Sequence, residues 1–138
     1  MKLEDKIEII PRKKLGDDRG WLLKVIDGKE NHLPDHTGEV YLTFASDKGK
    51  VRGNHYHVKA KEWFTVLQGH AEMRMKDMET GETMTLQLYA DEPTTVYLPA
   101  NIAHAFVNPE DYPFLMLAYT DELYDPADTI PYSLDWDA

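Results

Sequence analysis

Apolar and polar positions along the chain alternate with a period of two far more often than with a helical period. In HAEMRMKD (His70 to Asp77), Ala71, Met73 and Met75 fall on one face and Glu72, Arg74 and Lys76 on the other, as a strand with one buried face requires. Short β-branched and aromatic runs bounded by Gly, Pro, Asn and Asp recur. They are WLLKVI (Trp21 to Ile26), EVYLTFAS (Glu39 to Ser46), EWFTVLQ (Glu62 to Gln68), ETMTLQLY (Glu82 to Tyr89), TTVYLP (Thr94 to Pro99), AHAFVN (Ala103 to Asn108) and FLMLAYT (Phe114 to Thr120), and each reads as a strand. DMETGE joins two of them as a hairpin loop, with Gly81 free to take positive φ. The sequence has no internal repeat, low-complexity tract or linker. Many short strands with close turn signals predict an all-β sandwich, jelly roll or small barrel. A length of 138 residues predicts one domain over 1–138.

Composition narrows the partners. Hydrophobic residues make up 42% of the chain, enough for a buried core. A formal net charge of -10 argues against nucleic acid or an anionic membrane surface as the main partner, because both repel a protein of this sign. A small anionic ligand stays open, since it feels mainly its own pocket. With no cysteine there is no disulfide or thiolate, so any metal must be held by nitrogen and oxygen. The opening MKLEDKIEIIPRKK has no long apolar run, which predicts a cytoplasmic protein without signal peptide or membrane span. Its KIEIIPRKK portion is expected to add as a strand to the sheet of a second copy, giving a homodimer. The acidic, aromatic tail DELYDPADTIPYSLDWDA is expected to dock as an extended arm through Tyr132, Leu134 and Trp136, on its own barrel or on a second subunit.

The candidate chemistry lies in GKVRGNHYHVKAKEWFTVLQG, Gly49 to Gly69. His55 and His57, two positions apart, point to the same face of a strand. Lys59-Ala60-Lys61 is a plausible short turn that brings Glu62 beside them, and LPANIAHAFVN offers His104 as a further ligand. Two imidazoles and a carboxylate form a three-point metal grip. The set His55, His57, Glu62 and His104 therefore predicts a divalent transition metal: zinc, iron, manganese, nickel or cobalt. His32, His36 and His70 read as ordinary half-buried polar residues.

The spacing Gly49, five residues, His55, one residue, His57, four residues, Glu62, six residues, Gly69 resembles the first cupin motif. Pro99, four residues, His104, three residues, Asn108 resembles the second, with Asn101 where the family usually has glycine; asparagine tolerates the left-handed region well. The resemblance implies a double-stranded β-helix, the jelly-roll cupin barrel. Asp18-Arg19-Gly20, Arg52 ahead of the histidines, and Tyr119 and Tyr124 ahead of Asp125-Pro126 further resemble the sugar-nucleotide cupins. Those are the dTDP-4-dehydrorhamnose 3,5-epimerases, the 3,4-ketoisomerases and the cupin domain of capsular-polysaccharide reductases.

That resemblance implies a nucleotide-sugar epimerase or ketoisomerase acting next to the ketone of a 4-keto-6-deoxy sugar, in surface-polysaccharide precursor synthesis. Arg19 and Arg52 would hold the diphosphate, Tyr124 would bind substrate, His55 would be the base and Tyr119 the acid. The chain departs from the 3,5-epimerases at His57, where they commonly carry glutamine and need no metal. A metal-dependent cupin of another enzyme class and a non-enzymatic sugar-binding cupin are the competing expectations.

Overall fold

The computed structural model describes residues 1–135. The chain runs α1 (Leu3–Lys6), β1 (Glu8–Pro11), β2 (Lys14–Asp17), β3 (Gly20–Leu23), β4 (Glu39–Ala45), β5 (Val51–Tyr56), β6 (Glu62–Gln68), β7 (His70–Asp77), β8 (Thr83–Tyr89), β9 (Thr94–Leu98), β10 (Ile102–Val107), β11 (Phe114–Thr120), a single 3-10 turn (Pro126–Asp128) and β12 (Ile130–Pro131). Two five-stranded antiparallel sheets, in the orders β1-β9-β6-β11-β4 and β12-β5-β10-β7-β8, face each other as a jelly roll. β2 and β3 form a separate two-stranded ribbon.

Strand alternation builds the core. Phe64, Val66, Val96, Phe114 and Met116 from the first sheet meet Met73, Met75 and Phe106 from the second, all at most 2% exposed. Burying side chains of this size contributes about 1.5–3 kcal/mol each. The core fills one end of the barrel, and polar side chains occupy the other.

Several expectations change on contact with the structure. The N-terminal strand pairs within its own chain: β1 lies antiparallel to β9, with Glu8 opposite Tyr97 and Pro11 opposite Thr94. Fully buried Leu3 and the 2.7 Å Lys6–Asp77 ion pair hold the segment ahead of it to the same barrel. The strand expected to reach Ile26 stops at Leu23. Past it the backbone leaves the ribbon, and the Val25 carbonyl accepts from Arg12 at 3.0 Å and from Thr95 at 3.0 Å. The tail docks on its own barrel: β12 pairs with β5, and Leu134 is buried beside Ala103 and Ala105, with Tyr132 packed against that cluster. Trp136 lies outside the described residues. Among the described residues no helix is long and apolar enough to cross a membrane.

Candidate active site

A bulge in β5 aims the site. Across the β5–β10 pairing, His55 lies opposite His104, Gly53 opposite Ala105 and Arg52 opposite Phe106, with Asn54 as the extra residue. Gly53 and Asn54 both have positive φ, +95° and +61°. Residues directly opposite each other share a face of the sheet, and His104 and Phe106 are both buried on the inner face. Arg52 and His55 therefore both face inward although they are three positions apart, which a regular strand forbids. Glycine is required at 53, because a Cβ there would stand 2.8 Å from the His104 carbonyl oxygen. Past the strand end, the His57 carbonyl accepts from the Asn101 N–H at 2.7 Å, and Asn101 sits at φ +68°, in the left-handed region expected of its family position.

Glu62, only 3% exposed, is the hub. Its Oε1 stands 3.0 Å from His57 Nε2 and 3.3 Å from His104 Nε2, and its Oε2 accepts from the Tyr41 hydroxyl at 3.1 Å. His57 Nδ1 lies 2.7 Å from the Asp128 carbonyl, and His104 Nδ1 lies 3.0 Å from the Ile102 carbonyl. A carbonyl only accepts, so both Nδ1 atoms carry protons. Burial pushes the Glu62 carboxyl up, but the hydrogen bonds from His104 and His57, with their charges, outweigh it and hold it well below the usual carboxylate range. Burial pulls His57 down, while the hydrogen bond and charge of Glu62, with the Asp128 carbonyl, raise it overall. With Nδ1–H on the Asp128 carbonyl, the 3.0 Å contact between His57 Nε2 and the Glu62 carboxylate needs a proton between them, which makes an imidazolium–carboxylate pair.

His55 differs. Its ring lies 4.9 Å from those of His57 and His104, and it has no hydrogen bond among the described residues. Burial, and then the charges of His104 and His57, lower its pKa to about 4, so it is neutral at physiological pH. It stands between two hollows. One, of about 340 Å³, is lined by Glu39, Tyr41, His57, Glu62 and Tyr124 among others. The other, of about 50 Å³, is lined by Arg52, Thr43 and His104 among others. His55 and Tyr41 line both.

The structure thus brings together His55, His57, Glu62, His104, Arg52 and Tyr124. It does not bring in Tyr119. That residue lies opposite Trp63 and Val40 on the outer face, with its ring 5.4 Å from that of Trp63, while the next residue, Thr120, lines the larger cavity opposite Glu62. Nor does it bring in Arg19. On the exposed ribbon, 87% of that side chain is accessible and its guanidinium pairs with Asp17 at 2.8 Å. Tyr41 is the residue that sequence reasoning missed. The same-face set Glu39, Tyr41, Thr43 in EVYLTFA was the available signal.

These features have counterparts among known proteins. Residues 15–132 match the family described as "Polysaccharide biosynthesis C-terminal domain". The chain is similar to the spore coat polysaccharide biosynthesis protein SpsL of Bacillus subtilis (strain 168), with 25% identity over 138 residues, 96% of this chain and 90% of that one. Among solved structures it is similar to QdtA, a sugar 3,4-ketoisomerase from Thermoanaerobacterium thermosaccharolyticum in complex with TDP, with TM-score 0.75, 25% identity, and 96% of this chain and 90% of that chain covered. It is also similar to dTDP-4-dehydrorhamnose 3,5-epimerase from Bacillus anthracis, with TM-score 0.84, 16% identity, and 98% and 83% covered. This last likeness establishes the fold.

The relatives correct one expectation. One ligand atom from each of His55, His57, Glu62 and His104 lies within 4.8 Å of the others, as the metal reading required. The epimerases and ketoisomerases of this kind are nevertheless metal-independent, so the divalent transition metal expected from the motif is withdrawn. In the hub the His57 ring, 3.0 Å from Glu62, sits against the carboxylate where a cation would otherwise stand. The same spacing that reads as a ligand set thus builds a hydrogen-bonded charge cluster behind one neutral imidazole. From its matched length, its jelly-roll fold and its relatives, the chain belongs to the polysaccharide biosynthesis C-terminal domain family.

Proposed function

We propose that the protein is a nucleotide-sugar isomerase, an epimerase or 3,4-ketoisomerase that moves a proton next to the ketone of a nucleoside-diphosphate 4-keto-6-deoxy sugar for surface-polysaccharide synthesis. The observation that carries this reading is His55: a neutral, unpartnered imidazole facing a sugar-sized cavity at the point where that cavity meets an arginine. The family match, the likeness to SpsL and the likeness to a ketoisomerase bound to TDP support it.

Charge orients the substrate. The larger cavity is lined by the carboxylates of Glu39, Glu62, Glu122, Asp125 and Asp128, with no lysine or arginine among its described lining residues. It suits a neutral sugar ring and repels phosphate. Arg52 lies in the adjoining hollow, so the diphosphate points there and the sugar lies against His55. His55 removes a proton from the carbon beside the ketone. Tyr124 lines the cavity and is placed to hydrogen-bond the enolate or protonate it, while the Tyr41 hydroxyl gives its proton to Glu62 and can accept from a substrate hydroxyl. Protonation from the opposite face inverts the carbon. Protonation of the former carbonyl carbon, with the proton of the adjacent hydroxyl passing to the old carbonyl oxygen, moves the ketone. The test is TDP binding by thermal shift and calorimetry. The wild type should be stabilised by TDP, and Arg52→Ala should bind about tenfold or more weakly, since a charge-assisted contact contributes roughly 1.5–3 kcal/mol. Equal affinity in the two proteins would remove Arg52 from the phosphate site.

The working form we propose is a cytoplasmic homodimer. Leu15, Trp21 and Leu22 on the β2–β3 ribbon are 49%, 58% and 55% exposed, and the ribbon pairs with no other described strand. Two-stranded ribbons are marginal alone. Outward on β4, a sheet-edge strand, Val40, Leu42 and Phe44 are 59%, 59% and 57% exposed. A second copy would cover both surfaces and carry its ribbon, with Arg19, beside the strand that holds Tyr41. Light scattering at micromolar concentration should read twice 15.9 kDa; a monomer would refute the dimer and with it any role for Arg19 in binding.

A further inference from the structure

We infer that Asp128 is a positioning residue, which holds the Nδ1 proton and direction of His57 while anchoring one wall of the cavity. The inference rests on the reading of the cavity as the reaction site. The turn after β5 exposes three successive backbone N–H groups, and the Asp128 carboxylate accepts from all of them: Val58 at 2.7 Å, Lys59 at 3.1 Å and Ala60 at 3.1 Å. The carbonyl of the same residue accepts from His57 Nδ1 at 2.7 Å. One residue thus binds four donors from four consecutive positions, 57–60. Because the carbonyl cannot donate, Nδ1 must hold a proton and Nε2 is the nitrogen presented to Glu62.

The surrounding chain makes this a joint device. Asp128 ends the 3-10 turn Pro126–Asp128, which is capped by the Asp125 side chain on Ala127 N at 2.9 Å. The segment leading into it contributes Glu122, Leu123, Tyr124 and Asp125 to the cavity wall. Leu123 and Tyr124 are each 70% exposed, so little packing of their own holds this wall. The anchor is the carboxylate on the 58–60 amides. If it is lost, the carbonyl that holds His57 moves away with the wall, and the ring is free to rotate.

The experiment compares wild type with Asp128→Asn and Asp128→Ala, by two-bond proton–nitrogen correlation spectra of ¹⁵N-histidine-labelled protein recorded below each variant's melting temperature. The near-isosteric Asn variant keeps the test available if Ala does not fold. In the wild type, His57 should show a protonated Nδ1 with a slowly exchanging proton. In the variants that resonance should shift and its exchange should quicken. Turnover of the 4-keto nucleotide sugar should fall about tenfold or more in kcat with KM nearly unchanged, because Arg52 is untouched. An unchanged His57 Nδ1 signal in a folded variant would overturn the inference and leave Asp128 as a plain structural clamp. A changed signal in a protein without isomerase activity would uphold the positioning and refute the proposed reaction instead.

Discussion

His55→Asn is expected to reduce turnover by about 10²–10⁴-fold while leaving TDP binding and melting temperature close to wild type. The imidazole is the proposed base, is neutral, and has no hydrogen bond among the described residues, so its loss should remove chemistry without orphaning a buried partner. The pH dependence follows from the same fact. With its pKa at about 4, His55 stays unprotonated through neutral pH, and kcat/KM should fall only on the acid side as the ring takes up a proton. A solvent-exposed histidine base would lose activity near its ordinary value of 6.5. Initial rates from pH 4 to 8 on a nucleotide 4-keto sugar check both statements. An acid limb centred near 6.5 would mean that burial does not control this group.

Glu62→Ala is expected to have the largest effect on stability. It leaves the imidazolium of His57 and the hydroxyl of Tyr41 without their acceptor in a buried cluster. Breaking a buried ion pair from one side costs roughly 3–5 kcal/mol, which for a chain of this length lowers the melting temperature by about 10 °C or more. Glu62→Gln should cost less, because the amide oxygen still accepts one bond. The direction with pH can be worked out from the two shifts. The Glu62 pKa is depressed, so its contribution is complete above the free glutamate value of 4.5 and is lost as pH falls through the folded value. The His57 pKa is raised, so its contribution is complete below the free histidine value of 6.5 and is lost as pH rises through the folded value. The gap in melting temperature between wild type and Glu62→Gln should therefore be widest between pH 4.5 and 6.5 and narrow on either side. A gap that does not vary with pH would show that the pair is not ionised.

Much of the fold was legible because alternation and turn residues act locally. The runs Glu62–Gln68, His70–Asp77 and Phe114–Thr120 coincide with β6, β7 and β11. The grouping of His55, His57, Glu62 and His104 was legible too, because β5 and β10 pair in one sheet and the turn at 59–61 carries Glu62 into the facing sheet. What that spacing cannot report is protonation. The same imidazole nitrogens serve a cation or a shared proton; the Asp128 and Ile102 carbonyls on Nδ1 leave Nε2 open to either, and the choice comes from the relatives' chemistry.

Two failures have a common physical origin. Tyr119 was assigned inward, but side-chain direction in β11 follows from its register against β6, where Thr120 meets Glu62 and Tyr119 meets Trp63. Register between strands so far apart is not written locally. Tyr41 was passed over because β4 reads backwards. Its apolar set, Val40, Leu42 and Phe44, faces out, while Tyr41 and Thr43 face a cavity. Hydrophobic periodicity assigns the apolar face to the core, and it misleads where the inner face lines a polar cavity and the apolar face is the exposed one. The bulge at Gly53–Asn54 had a sequence mark, Gly-Asn, but its consequence for Arg52 needed the pairing with β10.

The most direct measurement is solvent deuterium entering a nucleotide 4-keto-6-deoxy sugar in D₂O, followed by proton NMR in chelator-treated buffer. Deuterium should appear at the carbon next to the ketone with wild-type protein, at a rate unaffected by the chelator, and none above background with His55→Asn. If deuterium enters equally with both proteins, or does not enter with the wild type when nucleotide is bound, His55 is not a base at this site and the isomerase reading is contradicted.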